Sequence, residues 1–165
     1  MSMFKREWRT RLVTIAATAV ISTMGAVAMN AAMAATPAET IKVRHQGMKD
    51  LGGAMKTIND QLKTDAPNAA AIKGAGVKVK AAVDGMPNWF PKGTGPETGV
   101  ETAAKPEIWS DAADFAEKMK AFQAEGGKIV SLADAGDVEG LRTQVKTAGK
   151  ACGNCHDKNR VKKES

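Results

Sequence analysis

From about Glu39 to Lys63, residues Ile41, His45, Met48, Gly52, Met55, Ile58 and Leu62 follow one another in steps of three and four. That is the repeat of one face of an α-helix. Asp65-Ala66-Pro67 ends this helix and starts another, with Pro67 suited to a first helical turn. The second helix carries Ala69, Ile72, Gly76, Val79, Val83 and Met86 at the same spacing, and its small residues predict close packing on a neighbour. A third pattern opens at Pro106 and keeps Ile108, Ala112, Phe115, Met119, Phe122, Gly126, Ile129 and Ala133 in one phase. It predicts one long helix, with Gly126-Gly127 as a place for a bend. After a turn at Asp134–Asp137, with Asp137 as N-cap, the last helix shows Val138, Leu141, Val145, Ala148, Cys152 and Cys155 on a single stripe. No alternating strand pattern of useful length is present. Helices joined by short, long and short connections predict an all-α protein, an antiparallel four-helix bundle.

Between Gly85 and Lys105 the composition shifts to Pro, Gly and Thr, which predicts a long irregular connection. Trp89 and Phe90 lie inside it, and two large apolar rings predict a loop packed onto the bundle. Gly52-Gly53 inside the first helix costs about 1 kcal/mol per glycine relative to alanine. Something bulky approaching the backbone there would account for the cost; so would a kink.

The chemistry is concentrated near the C-terminus, in Cys152-Gly153-Asn154-Cys155-His156. Cys-x-x-Cys-His is the attachment signal of a c-type haem, with two thiols for the vinyl groups and an imidazole for the iron. On a helix the three side chains fall at i, i+3 and i+4 and share a face. Because the two cysteines also continue the core-facing stripe, the haem is expected inside the bundle. Zinc binding or thiol redox chemistry is the other use of Cys-x-x-Cys. The chain has only these two cysteines and, besides His156, only His45, a poor complement for zinc, and no βαβ pattern to suit a redox pair.

Residues 1–34 read as a secretory signal peptide: four positive charges and one negative up to Arg11, an apolar run from Leu12 to Met29, then Ala32-Met33-Ala34. Cleavage after Ala34 or Ala35 leaves residues 35–165 as one domain. The apolar run is also just long enough for an uncleaved anchor, although its Ala, Thr and Ser content is weakly apolar for a span. Export and haem attachment support one another, since bacteria attach haem to this motif outside the cytoplasmic membrane, and the expected location is the periplasm. The formal charge of +6 falls to +3 without the leader, which suggests no nucleic-acid partner.

A haem motif on the last helix of a four-helix pattern resembles the class II c-type cytochromes, the cytochrome c′ family. The likeness covers residues 39–161. It rests on Arg44-x-x-x-Met48, Trp89-Phe90-Pro91, Pro106-Glu107-Ile108-Trp109, and Gly149 through His156 followed by Arg160. The resemblance implies one covalent haem c on Cys152 and Cys155, with His156 as proximal iron ligand. Low-spin members, the cytochrome c-556 type, use a methionine on the first helix as sixth ligand and carry electrons. High-spin members leave that position open and bind nitric oxide or carbon monoxide. The stretch Gly47–Gly52 is similar to the low-spin type and places Met48 at the ligand position, with His45 a weaker competitor and Met55 a packing residue. Arg44 and Arg160 are candidate contacts at the haem edge. Relatives often carry an aromatic residue three positions after the haem-binding histidine, where this chain has Asn159. The expected role is electron transfer with periplasmic redox partners, with no enzyme activity and no membrane span after cleavage. Lys158, Arg160, Lys162 and Lys163 could steer an acidic partner. Members of the family are often dimeric through the first two helices; a homodimer stays open here.

Overall fold

The computed structural model describes residues 35–162. The leader expected over residues 1–34 lies outside the described residues, as does Lys163. Helix α1, Pro37–Gln61, starts at a reciprocal cap in which the Thr36 hydroxyl accepts the Glu39 N–H and the Glu39 carboxylate accepts the Thr36 N–H. Helix α2, Ala69–Gly85, is capped by Asn68. Helices α3, Glu107–Ser110, and α4, Ala112–Ala135, follow the long connection, and α5, Val138–Asn159, starts at Asp137, whose carboxylate accepts the Gly140 N–H.

The four long helices form the bundle: α2 packs against both α1 and α4, and α4 against α5. Ile58, Val79, Ile129 and Leu141, one from each of them, are fully enclosed. Close packing of α2 on α4 follows from small residues, as expected. A Cβ at Gly126 would lie 2.7 Å from Cγ2 of Val83, so a side chain there would force the helices apart. Among the described residues no strand forms, and no helix is long and apolar enough to cross a membrane.

The third helical pattern breaks where the phase of its apolar residues gave no warning. Asp111 leaves the helical region at φ −122° and ψ 59°, separating α3 from α4, while α4 continues unbroken over Gly126-Gly127. The Asp111 carboxylate caps α4 by accepting the Asp114 N–H, a role that takes a non-helical backbone, and it also receives the Lys158 ammonium at 2.7 Å.

The long connection is packed. Trp89 is buried, Phe90 meets Phe115 edge-on at 5.0 Å, and the Trp109 indole N–H donates to the carbonyls of Phe90 and Pro91. The end of the loop is clasped to the end of α5: Lys105 N–H donates to the Asn159 carbonyl at 3.0 Å, and Val161 N–H to the Ala103 carbonyl at 2.8 Å.

Candidate functional site

Cys152, Cys155 and His156 occupy one turn of α5 and together border a cavity of about 670 Å³. That lies within the 300–1,000 Å³ typical of small-molecule and cofactor sites. Helix α1 supplies the wall bearing His45, Met48, Leu51, Gly52 and Met55; α4 supplies Phe115, Met119 and Phe122; Phe90 comes from the connection. The apolar stripe of α1 thus divides in the middle of the helix. Ile41, Ile58 and Leu62 enter the packed interior, whereas His45, Met48, Gly52 and Met55 turn toward the cavity; Ala54 faces the core, and Leu51 lies between core and cavity.

Burial raises both thiols, so Cys152 and Cys155 are neutral S–H groups at neutral pH. Cys155 is also touched by the Asn159 amide, which offsets part of the effect. Burial, then the nearby charge of Arg160, lowers His156, with Asp157 acting in the other direction. The imidazole is therefore neutral and its lone pair is available to a metal.

Arg44 reaches the cavity from α1 and is only 2 % exposed. Its guanidinium donates to the carbonyl of Trp89 at 3.1 Å, to the hydroxyl and carbonyl of Thr94 at 3.2 and 2.9 Å, and to the Thr102 hydroxyl at 3.0 Å. It also lies 5.0 Å over the Phe90 ring. All four acceptors are neutral. Burial lowers the Arg44 pKa, with Glu97 opposing, but an arginine keeps its charge. Among the described residues no carboxylate pairs with it, so a fixed positive charge is held at the cavity wall. The sequence motif showed Arg44 but not Thr94 and Thr102, which lie 50 and 58 residues away in a loop without periodicity.

Arg160 borders the cavity from the exposed side. Two members of the basic cluster expected around it have carboxylate neighbours. Lys158 is held by Asp111 and by Asp114 at 3.1 Å, and Lys162 lies 3.7 Å from Asp157. Among the glycines of α1, the chain itself crowds Gly47. Nothing in the chain lies within 4 Å of a Cβ at Gly52 or Gly53, while at Gly47 the Trp89 ring stands at 2.2 Å. Gly52 borders the cavity with bare backbone.

These features fit a haem c. One helical turn offers two neutral thiols and a neutral imidazole, an apolar hollow of the right order of size adjoins it, and a buried cation suits an acidic substituent. Zinc fits poorly, because no group of three or more His, Cys, Asp or Glu side chains gathers among the described residues.

Comparison with known proteins agrees with this chemistry. The family model described as Cytochrome C′ matches residues 39–160. A cytochrome c′ from Alcaligenes xylosoxydans xylosoxydans is 37% identical over 129 residues, covering 78% of this chain and 98% of the relative. A cytochrome c-556 from Agrobacterium tumefaciens strain B2A is 37% identical over 125 residues, covering 74% and 98%. Among solved structures, the nitric oxide complex of a variant of cytochrome c prime from Alcaligenes xylosoxidans superposes with a TM-score of 0.69 at 34% identity, covering 79% of this chain and 99% of that one.

Proposed function

Because the chain belongs to the cytochrome c′ family of monohaem cytochromes, which bind haem c covalently, we propose that it is a periplasmic electron carrier with a low-spin iron held between His156 and Met48. The observation that carries this reading is the placement of Met48. It stands on the α1 wall of the same cavity that Cys152, Cys155 and His156 border from α5. Cys152 and Cys155 would hold the haem through two thioethers, and His156 and Met48 would be the donors to its iron. When bound, the group would supply a one-electron iron couple, whose potential a methionine thioether raises.

The chain's own part is to bind, fix and shield. Two attachment points on one helical turn leave the imidazole little freedom, and the backbone clasp between 103–105 and 159–161 holds the far end of that turn. Leu51, Phe90, Phe115 and Phe122 give the cavity apolar walls. A site this apolar needs no substrate pocket, because an electron carrier works best when little moves between its two states. The related proteins are cytochromes. Residues 1–34 are, on this reading, a signal peptide removed on export.

Optical spectra of the haem-loaded protein test the proposal. A low-spin spectrum with a methionine–iron charge-transfer band, indifferent to carbon monoxide and losing that band in Met48→Ala, is expected. A high-spin spectrum that shifts readily with carbon monoxide would overturn Met48 ligation. It would favour the second reading, a gas-binding protein with Met48 as part of the wall, for which the nitric oxide complex of the solved relative is the supporting observation.

A further inference from the structure

Helix α1 carries Met48 on one wall of the cavity, and α5 carries His156 on another. Of the long helices, only α2 packs broadly against α1. What stands between α1 and α2 therefore decides how α1 lies over the cavity. Trp89 stands there. A Cβ added at Gly47 would lie 2.2, 2.3 and 3.0 Å from Cη2, Cζ2 and Cζ3 of its ring, and one at Gly85 in α2 would lie 3.1 Å from Nε1 and 3.3 Å from Cζ2. The buried ring thus rests on the bare backbone of both helices. Trp89 holds α1 a second time through its carbonyl, which accepts from the Arg44 guanidinium at 3.1 Å. Thr94 and Thr102, from the same connection, complete the anchoring of that group. Arg44, Gly47 and Met48 fall within little more than one turn of α1. Trp89 itself is not part of the cavity wall.

We infer that Trp89 is a positioning residue: its ring and its carbonyl fix the turn of α1 from Arg44 to Met48, and so hold the Met48 thioether where it can bind iron. The inference rests on the His156 and Met48 reading proposed above. The physical reason is an asymmetry between the two donors. His156 shares a helical turn with the two attachment cysteines, so attachment itself brings the imidazole to the iron. Met48 has no such tether, and its reach depends on where α1 lies. A flat, rigid ring sets that spacing by its size. Groups standing behind a ligand commonly change its hold on a metal by about 10–100-fold, because they fix the donor's position.

The test is a cyanide titration of the ferric, haem-loaded protein, read on the methionine–iron charge-transfer band, because cyanide must displace Met48 to bind. Trp89→Leu shrinks the spacer and leaves the carbonyl in place. The cyanide concentration that removes half of the band should fall about 10–100-fold relative to the unsubstituted protein. Trp89→Phe, which keeps a ring, should fall between the two. Ile129→Ala truncates an enclosed side chain of α4 away from the cavity wall. It should lower the urea midpoint without moving the cyanide titration, which separates positioning from a general loss of stability. If Trp89→Leu fails to mature, Gly47→Ala disturbs the same contact from the helix side and should shift the titration in the same direction. An unchanged titration in these variants, or an equal shift in Ile129→Ala, overturns the inference. An unsubstituted protein without the band overturns the Met48 reading and the inference with it, and this is seen before any variant is compared.

Discussion

Replacing Gly47 by alanine sets two opposite effects against each other. In the interior of a helix the change should help, because glycine costs about 1 kcal/mol relative to alanine. At Gly47 the new Cβ would lie 2.2 Å from Cη2 and 2.3 Å from Cζ2 of Trp89, more than an ångström inside van der Waals contact. The ring cannot simply retreat, since a Cβ at Gly85 would already stand 3.1 Å from the same indole's Nε1, so the ring is wedged between α1 and the end of α2. Overpacking of this kind costs about 1–3 kcal/mol. Expelling the ring altogether would forfeit burial worth about 4–6 kcal/mol, from 150–250 Å² at 25 cal/mol per Å². The ring should therefore be squeezed rather than expelled, and Gly47→Ala should be destabilised by up to about 2 kcal/mol net. Gly53→Ala, exposed and free of neighbours, is the matched control and should gain up to about 1 kcal/mol. Urea unfolding of the two haem-loaded variants, with equal m-values, measures the difference directly. Equal midpoints for Gly47→Ala and Gly53→Ala would refute the wedge.

Three further outcomes follow from the same geometry. Arg44→Met removes the donors to the buried carbonyls of Trp89 and Thr94 and should lower stability in urea by about 2–4 kcal/mol, with Trp89 becoming more accessible to quenchers. Lys158 is the main cause of the lowered carboxyl of Asp111 and, after Lys118, of that of Asp114. Folded-state values below the unfolded ones mean that this stabilisation is complete above the ordinary carboxylate range near pH 4 and is lost as pH falls through the depressed values. Lys158→Ala should therefore flatten the acid side of the melting-temperature profile and leave its neutral slope unchanged. Cys152→Ala and Cys155→Ala should each retain haem on the chain after acid–acetone extraction through the remaining thioether, while the double variant should release it, as mass spectrometry of the extracted protein will show.

The helices were legible because a repeat of three and four needs only local information. The cap at Asp137 and the packed character of the Trp89 loop could be read for the same reason. The break at Asp111 could not, because the apolar phase continues across it and the cap it makes at Asp114 leaves no mark on that phase. The stripe of α1 gave the right face but not its division between core and cavity, since periodicity records which side is apolar and not what adjoins it. Gly52-Gly53 drew attention by composition, yet the glycine that yields to a ring is Gly47, where contact depends on a residue from an irregular loop. The turn of α5 that borders the cavity was legible, because Cys152, Cys155 and His156 fall within five residues and need no tertiary information to be brought together. Arg44 was legible as a motif position, but its fourfold anchoring was not.

The clasp between 103–105 and 159–161 is made of main-chain hydrogen bonds. Such bonds ask nothing of the side chains that flank them, so these positions can drift in sequence while the end of α5 stays fastened. Proline is the exception at Lys105 and Val161, whose N–H groups are the donors. Divergence of this segment among related chains is therefore compatible with an unchanged closure, and a comparison of side chains alone would pass over one of the contacts that hold the site in place.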